Sequence, residues 1–364
     1  MKELGAGMVI TFIAPSSSYP SGGVAVIFEY ACRLAQRGHQ VHLCHTPFMR
    51  ADVARLEDIG WFTFCDGIIH HFPSKEQDEA GIPPADFIFG FLPEGEEVAH
   101  TGLPVVFIQG YEMIAGPTEQ DSFRVRCPKV CVAGWLVDVG LRLGVPAEQL
   151  VHIAPGLRHE KYRLTRPLAP RPPRVTFCYS SHGKKNAQLA FDVLAEVKQV
   201  VPEVEVTVFG AEPPVHEVPD WVTYHTDPAQ RHLVDDIYNT SRVFLCTSDV
   251  EGFGLTSIEA MACGAALVTT DNGGAREYAR HDHTALVAPP GDLETLAGHV
   301  VSLLRDDGRC ARIAAGGLEQ VKRFDWERST QLLESFLERY RADPAAYGYA
   351  AEGPRSAIGP SQPR

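Results

Sequence analysis

Two glutamates stand eight positions apart in the segment SDVEGFGLTSIEAMACGAALVTTDNGG, which covers residues 248–274. Glu251 precedes a Gly-Phe-Gly turn, and Glu259 follows that turn. A carboxylate is a strong acceptor for hydroxyl groups, so the two acids can bind the vicinal hydroxyls of a ribose or a hexose. In the alternative interpretation, Glu259 only caps a helix and Glu251 is solvated.

The residues between the two acids predict the start of a helix. An apolar strand over 243–246 leads into the turn, whose glycines allow the backbone to bend sharply. Thr256 and Glu259 have the spacing of a capping box, in which two side chains bond to the first amides of a helix. Amides left free at such a start favour an anion, so a helix cap and a bound ligand are compatible here.

Two lysines mark a second candidate anion site. Lys184 and Lys185 follow a predicted strand over 175–179 and precede a helix from about Asn186. A lysine at a helix start is unfavourable with the helix dipole, which favours an anion beside at least one of the two. A solvated lysine pair is the alternative.

The remaining candidates follow other predicted strands. Gly22 and Gly23 allow either the close approach of a ligand or a simple tight turn before a helix. Gln109 can hydrogen-bond but cannot act as a base, and Glu112 is either a ligand-binding group or a solvated loop acid. Glu277 is either a site residue or an acid in the first turn of a helix.

The composition argues against several classes of function. Among 364 residues, 33 Lys and Arg stand against 46 Asp and Glu, which gives a net charge of -13. This balance disfavours nucleic acid as a partner, and no apolar run is long enough for a membrane span, which leaves at most peripheral membrane contact. Nine cysteines without a C-x-x-C pair predict reduced thiols and a cytoplasmic location. The fifteen histidines show no ligand spacing, so no metal is assigned.

The hydrophobic pattern predicts an α/β fold, because short apolar runs typical of buried parallel strands alternate with amphipathic helices. The predicted strands cover 8–14, 41–44, 87–91, 105–108 and 130–132, and then 175–179, 204–209, 243–246 and 265–270. Four prolines within 165–174 predict a linker between two units. We therefore expect domains over 1–165 and 166–325, a last helix over 326–341 and a disordered tail over 342–364.

These motifs resemble a known family. The segment EGFGLTSIE is similar to the E-x7-E signature of the retaining glycosyltransferases of family 4, which have the GT-B fold. The similarity extends over about residues 8–341 and includes YPSGGVAVIFEYACRLAQRGHQV, LGVPAEQLVHIAPGLRHEKYR and ALVAPPGD. It implies two Rossmann-like α/β domains that face each other across a cleft, with the last helix crossing back to the first domain.

The resemblance also implies roles for individual residues. Glu259 would hold the ribose of a donor nucleotide and Glu251 the donor sugar, while Lys185 would neutralise the diphosphate. Glu251 and Lys185 are therefore the candidate catalytic residues. The other donor-binding candidates are Phe253, Gly254, Leu255, Thr256, Gly22, Gly23 and Lys184.

The chain departs from the family at two positions. The family usually has an arginine where this chain has Ser180, and many relatives have a histidine where it has Gln109. The residues assigned to the acceptor side, or left without a firm role, are Gln109, Glu112, Ser180 and Glu277.

The implied activity is the transfer of a sugar from a nucleoside diphosphate to an acceptor, which could be a glycan, a lipid-linked acceptor or a small molecule. The resemblance implies no cofactor and no metal. A nucleotide-sugar-binding relative with little or no activity is an alternative, motivated by Ser180 and Gln109. A dinucleotide-dependent oxidoreductase is a third hypothesis, although Ser257 stands where the third glycine of a G-x-G-x-x-G motif belongs.

Overall fold

Two parallel β-sheets, each covered by helices, form the protein. The structure is a computed structural model, and its described residues are 7–47, 53–72, 83–90, 102–111, 118–215 and 217–349. The predicted Glu112 lies outside these ranges.

Within the described residues, seven parallel strands form the first sheet in the order β3-β2-β1-β4-β5-β6-β7. The strands are β1 Val9–Ser16, β2 Gln40–Pro47, β3 Ile68–His71, β4 Phe87–Gly90, β5 Leu103–Ile108, β6 Lys129–Cys131 and β7 Leu150–His152. The helices of this part are α1 Gly22–Gln36, α2 Thr118–Arg124 and α3 Gly134–Arg142.

Six parallel strands form the second sheet, again within the described ranges, in the order β10-β9-β8-β11-β12-β13. The strands are β8 Arg174–Cys178, β9 Glu205–Gly210, β10 Val222–Thr226, β11 Val243–Cys246, β12 Ala266–Thr270 and β13 Ala285–Ala288. The longer helices are α4 Ala187–Val200, α5 Leu255–Ala262, α6 Leu293–Arg305 and α7 Asp307–Val321. No helix in the described part of the chain combines the length and apolarity that a membrane crossing requires.

The predicted α/β class is confirmed, and each of the predicted strands corresponds to a strand of the structure. The end of one of them, Phe91, lies outside the described residues. The strands that the sequence did not predict are β3, β7, β10 and β13, which are the four edges of the two sheets. The strands β3, β7 and β10 include exposed or half-buried residues and so lack a clear apolar run, whereas β13 is apolar and mostly buried and was missed all the same.

The last helix, α8 Trp326–Ala342, lies against α1 of the first sheet. Arg37 at the end of α1 forms ion pairs of 2.6 Å with Glu327 and with Glu334. The chain then continues in a short 3-10 helix, Pro344–Tyr347, whose Tyr347 ring packs on Phe336. The prediction of a disordered tail from 342 is therefore wrong as far as 349, and 350–364 lie outside the described residues.

The strand order of each sheet reverses at one point. β1 lies between β2 and β4, and β8 lies between β9 and β11. Loops that leave the carboxyl ends of strands at such a reversal diverge and open a crevice where doubly wound folds bind ligands. Gly22 and Gly23 follow β1, Lys185 follows β8, and Glu251 follows β11. Sheet topology alone thus directs three of the predicted motifs to the two crevices.

A substitution at Gly156 tests the contact between the segment that follows β7 and helix α8. A Cβ at Gly156 would overlap the backbone and ring of Trp326, whereas nothing lies within 4 Å of a Cβ at Gly298 in α6. We expect Gly156→Ala to lower the free energy of unfolding by about 1–3 kcal/mol, because backbone cannot move aside as a side chain can. Gly298→Ala, the matched control, should be neutral or stabilising by up to about 1 kcal/mol. Urea unfolding measures both, and an unchanged midpoint for Gly156→Ala would contradict the expectation.

Candidate functional site

Glu251 and Lys185, which are 66 positions apart in the sequence, form an ion pair. The Nζ atom of Lys185 lies 2.6 Å from one carboxylate oxygen of Glu251 and 2.8 Å from the other. The hydroxyl of Ser248 donates to the same carboxylate at 2.7 Å. The structure therefore brings together the two candidate catalytic residues at the point where the loops after β8 and β11 meet.

The electrostatics of Lys185 depend on this partner. Burial lowers the pKa of the ammonium group, but the charge of Glu251 and its hydrogen bond raise it by more, so that the net pKa lies above the ordinary value. The lysine is thus a permanent cation at neutral pH. The Lys185 side chain remains 31% exposed, whereas Glu251 is buried.

The backbone at Glu251 is fixed by the loop that follows β12. The amide of Glu251 donates to the carbonyl of Asn272 at 2.8 Å, and the amide of Gly274 donates to the carbonyl of Glu251 at 3.0 Å. The side chain of Asn272 in turn accepts from the amide of Ala275 at 3.0 Å. These bonds join 251–254 and 272–277 into one unit, which we call the donor-side loops.

Two glycines of the opening motif are required by close packing. A Cβ at Gly252 would overlap the carbonyl of Gln109 from the first sheet. Gly254 has a φ of 96°, a left-handed conformation that favours glycine, and its Cβ would overlap the hydroxyl of Tyr278. The turn is therefore specific for glycine at both positions.

Helix α5 begins without the predicted capping box, so that interpretation is wrong. The N-cap is Gly254, which has no side chain to accept a bond, and Thr256 lies inside the first turn. The carboxylate of Glu259 accepts from the hydroxyl of Tyr238 at 3.0 Å instead of returning to the helix start. Within the described ranges, no acceptor is found for the backbone amides at 253–256, which remain free for an anion.

Glu259 occupies an environment that disfavours its charge. Burial raises the pKa of the carboxyl group to about 7, although hydrogen bonds from Tyr238 and Tyr162 act in the opposite direction. Without a ligand, the group is therefore about half protonated near neutral pH. A perturbed carboxyl group in a helix that borders a crevice is typical of a binding site.

The first domain contributes Gly22 and Gly23 at the start of α1. A Cβ at Gly23 would lie 3.2 Å from the Oε1 atom of Gln109, and one at Gly22 would lie 3.5 Å from a methyl group of Leu255. The structure thus brings Gly22, Gly23 and Gln109 against the start of α5 from the second domain. The Nε2 atom of Gln109 is buried and has no hydrogen-bond partner among the described residues.

Three other predicted residues have different surroundings. The side chain of Lys184 is exposed, and the backbone carbonyl of Lys184 accepts from the amide of Asp249 at 2.8 Å. The hydroxyl of Ser180 accepts from the amide of His182 at 3.2 Å, which closes a local turn. The Phe253 ring is buried against Tyr278 and Phe324, so only its backbone can reach a ligand.

Glu277 bridges the two domains. Its carboxylate accepts from the amide of Gly134 at 2.6 Å and lies 3.4 Å from the Nε2 atom of His152. Both partners belong to the first domain, so this acid, which stands in the first turn of the 3-10 helix Gly274–Glu277, is not solvated but bonds across to the first domain.

Sequence reasoning missed Ser248, Tyr238, Tyr162 and Trp135. Ser248 stands three residues before Glu251 in the same loop, and a hydroxyl that close to a buried acid was a usable signal. The two tyrosines and Trp135 approach from distant segments, and their spacing in the sequence carries no sign of it.

The prediction that no metal is bound stays a prediction. Within the described residues, no group of three or more His, Cys, Asp or Glu side chains could hold a metal ion. The cation that the site does offer to an anion is Lys185.

Comparison with known proteins supports this description. Residues 163–320 match the family model for glycosyl transferases group 1. The chain is similar to a D-inositol 3-phosphate glycosyltransferase of Xylanimonas cellulosilytica, with 32% identity over 169 residues, which are 42% of this chain and 40% of the relative. The match thus spans less than half the length of this relative. The family match includes the donor-side loops and the sheet that carries them.

Solved structures confirm the GT-B fold. Sucrose-phosphate synthase from Thermosynechococcus elongatus has a TM-score of 0.70 and 16% identity, over 92% of this chain and 99% of that one. The Anabaena protein HepE, solved in complex with UDP-glucose, has a TM-score of 0.73 and 17% identity, over 91% of this chain and 100% of that one. The two facing Rossmann-like domains expected from the sequence are therefore present.

Glu259 should reduce the stability of the ligand-free protein at neutral and alkaline pH. Its pKa rises from 4.5 to about 7 on folding, so the folded state binds more protons in that interval and the free energy of unfolding falls as pH rises through it. We expect Glu259→Gln to match the wild type at about pH 4.5 and to be more stable by about 1–2 kcal/mol at about pH 8. Urea unfolding at both pH values measures this. Glu196→Gln, on the exposed face of α4, controls for the loss of one charge. A difference that is the same at both pH values would contradict the prediction.

Proposed function

We propose that this protein is a metal-independent retaining glycosyltransferase, which transfers a sugar from a nucleoside diphosphate sugar to an acceptor hydroxyl. The observation that carries the proposal is the convergence of Glu251, Lys185 and Glu259 at the reversal point of the second sheet, opposite Gly22 and Gly23. Two hydroxyl-binding acids, one cation and free helix amides match the parts of such a donor. The group 1 family match over 163–320 supports the same class.

Each part of the donor has a chemical counterpart in the site. Glu259, once ionised, accepts hydrogen bonds from the ribose hydroxyls, which offset the cost of its burial. The free amides at 253–256 and Lys185 face the diphosphate, where a helix start favours negative charge. Glu251 accepts from hydroxyls of the sugar.

The ion pair between Lys185 and Glu251 is the ligand-free arrangement of this set. In it, each group satisfies the other, with Ser248 as the third member. A donor would divide the pair, because its phosphate is an acceptor for Lys185 and its sugar hydroxyls are donors for Glu251. Binding therefore exchanges hydrogen bonds, and neither buried charge is left uncompensated.

The proposed reaction breaks the bond between the anomeric carbon and the phosphate oxygen and forms a bond from that carbon to the acceptor oxygen on the same face. The acceptor proton passes to the leaving phosphate oxygen, so no strong enzymic base is required. This agrees with Gln109, which cannot take a proton. Negative charge grows on the leaving diphosphate, where Lys185 and the amides of α5 stabilise it.

The phosphate subsite contains fewer cations than the family resemblance implies. Ser180 closes a turn and brings no charge, and Lys184 is exposed at the rim. Lys185 therefore carries most of the charge compensation, which makes it the most sensitive residue of the proposed site.

Turnover of nucleoside diphosphate sugars tests the proposal. UDP-glucose, found in the HepE structure, and GDP-mannose are suitable first donors, assayed with and without simple sugar acceptors. We expect release of nucleoside diphosphate that falls at least about a hundredfold in Glu251→Gln and in Lys185→Met, because each loses a group that meets the transition state. Glu196→Gln, the matched surface control, should keep wild-type activity.

The same assay identifies the alternatives. Tight binding of a nucleotide sugar without turnover across acceptors would favour a non-catalytic relative, and binding of nicotinamide cofactors alone would overturn the proposal. Retention is read from the anomeric configuration of the product, and an inverted product would contradict that part of the mechanism.

Donor affinity should depend on the ionisation of Glu259. Only the carboxylate form accepts two hydroxyl bonds, and its pKa in the free protein is about 7. The dissociation constant of a nucleoside diphosphate sugar should therefore fall about tenfold from about pH 6 to about pH 8 and then level off. Calorimetric titration measures this, and Glu259→Gln should bind more weakly with no such pH dependence. An affinity that is constant over this interval in the wild type would refute the assignment.

A further inference from the structure

Trp135 of the first domain contacts both donor-side loops of the second. Its indole N–H donates to the carbonyl of Gly252 at 2.9 Å, one residue beyond Glu251. Its ring lies against Gly273, where a Cβ would come within 2.9 Å of it. A single side chain of the first domain thus touches both loops that hold the proposed catalytic carboxylate.

Glu277 makes the reciprocal contact from the second domain. Helix α3 begins after Ala133, which has no capping side chain, and its first turn contains no acid. The free amide of Gly134 is instead bonded by Glu277, at 2.6 Å from a carboxylate that is 11% exposed. An acid in this place also complements the positive end of the helix. The start of α3 is therefore capped by a residue of the other domain.

These two contacts act on one rigid unit. Trp135 and Gly134 are adjacent, and their partners belong to loops that the bonds between Glu251, Asn272 and Gly274 already join. A third contact, the backbone approach of Gly252 to Gln109, lies beside them. We call Gly134, Trp135, Gly252, Gly273 and Glu277 the interdomain clasp.

We infer that Trp135 and Glu277 are positioning residues, whose clasp sets the distance of Glu251 from the acceptor side of the cleft. The inference rests on the proposed transferase function. Glu251, Lys185 and Glu259 all belong to the second domain, so a donor can bind without the clasp. Transfer additionally requires that the sugar face Gly22, Gly23 and the acceptor in the right geometry, and an error of about 1 Å there can cost a hundredfold in rate.

The clasp therefore predicts a separation of kcat from donor binding. Trp135→Phe keeps a ring over Gly273 and removes only the N–H donor to Gly252, and Glu277→Ala removes the acceptor for Gly134. In both variants kcat should fall about tenfold, while the dissociation constant of the donor changes less than about twofold. Glu277→Gln should recover most of kcat, because its amide oxygen can still accept from Gly134.

Trp221→Phe is the matched control, since Trp221 lies in the second domain against Lys198 and away from the cleft. It should leave kcat unchanged. A contribution to folding alone would lower the melting temperature of the clasp variants and leave the kcat of the folded protein intact, and that result would overturn the inference. Equal loss of kcat in Glu277→Gln and Glu277→Ala would also overturn it.

Small-angle scattering of the ligand-free protein separates this inference from the proposed function. The double variant Trp135→Phe, Glu277→Ala should have a larger radius of gyration than the wild type, whether or not any donor is turned over. A further outcome is that the double variant opens while the wild-type protein turns over no donor. That result would refute the transferase proposal and, with it, the catalytic role of the clasp, but it would confirm the clasp as an interdomain contact. An unchanged radius together with unchanged kcat would overturn the inference and leave the transferase proposal intact.

Discussion

The burial of the Glu251 carboxylate is the constraint on which the rest of the site depends. A buried charge is tolerated only when a counter-charge and hydrogen bonds compensate it, and here Lys185 and Ser248 provide them. Lys185 can reach Glu251 only because β8 and β11 are neighbours, paired in parallel from Val243 opposite Val175. That pairing in turn exists only if the strand order reverses at β8, which opens the crevice above the pair. The strand order that lets Lys185 compensate the charge of Glu251 is therefore the same strand order that opens the crevice.

Glu259 shows the other side of the same principle. Its hydrogen bonds come from tyrosine hydroxyls, and among the described residues no cation pairs with it, so burial prevails and the pKa rises to about 7. The protein therefore keeps one acid fully compensated and one partly so. A ligand that brings hydroxyl donors gains more at Glu259, where acceptor capacity is unused, than at Glu251, where it must displace an existing partner. The geometry of the site is preorganised, but the charge of Glu259 is fully compensated only when a ligand binds.

The sequence predicted the parts of this structure that depend on local patterns. Central strands have continuous apolar runs and were found, whereas the edge strands were not, both β3, β7 and β10, which include exposed or half-buried residues, and the apolar β13. The paired acids were identified as a site, but the capping box was wrong, because the spacing from Thr256 to Glu259 fits a helix start equally well when the acid bonds elsewhere. Trp135 was missed because its partners lie more than a hundred residues away, and no local pattern reports such a contact.

The glycines of the opening motif explain how local sequence and distant contacts are connected. Gly252 admits the carbonyl of Gln109, Gly273 admits the ring of Trp135, and Gly274 admits the carbonyl of Phe253. Two of these neighbours belong to the first domain. A side chain at Gly252 or Gly273 would therefore separate the domains before it disturbed any ligand. The Gly-Phe-Gly turn and the glycine pair after β12 form the surface on which the first domain rests, and Glu251, which directly precedes the turn, acquires its position from that contact.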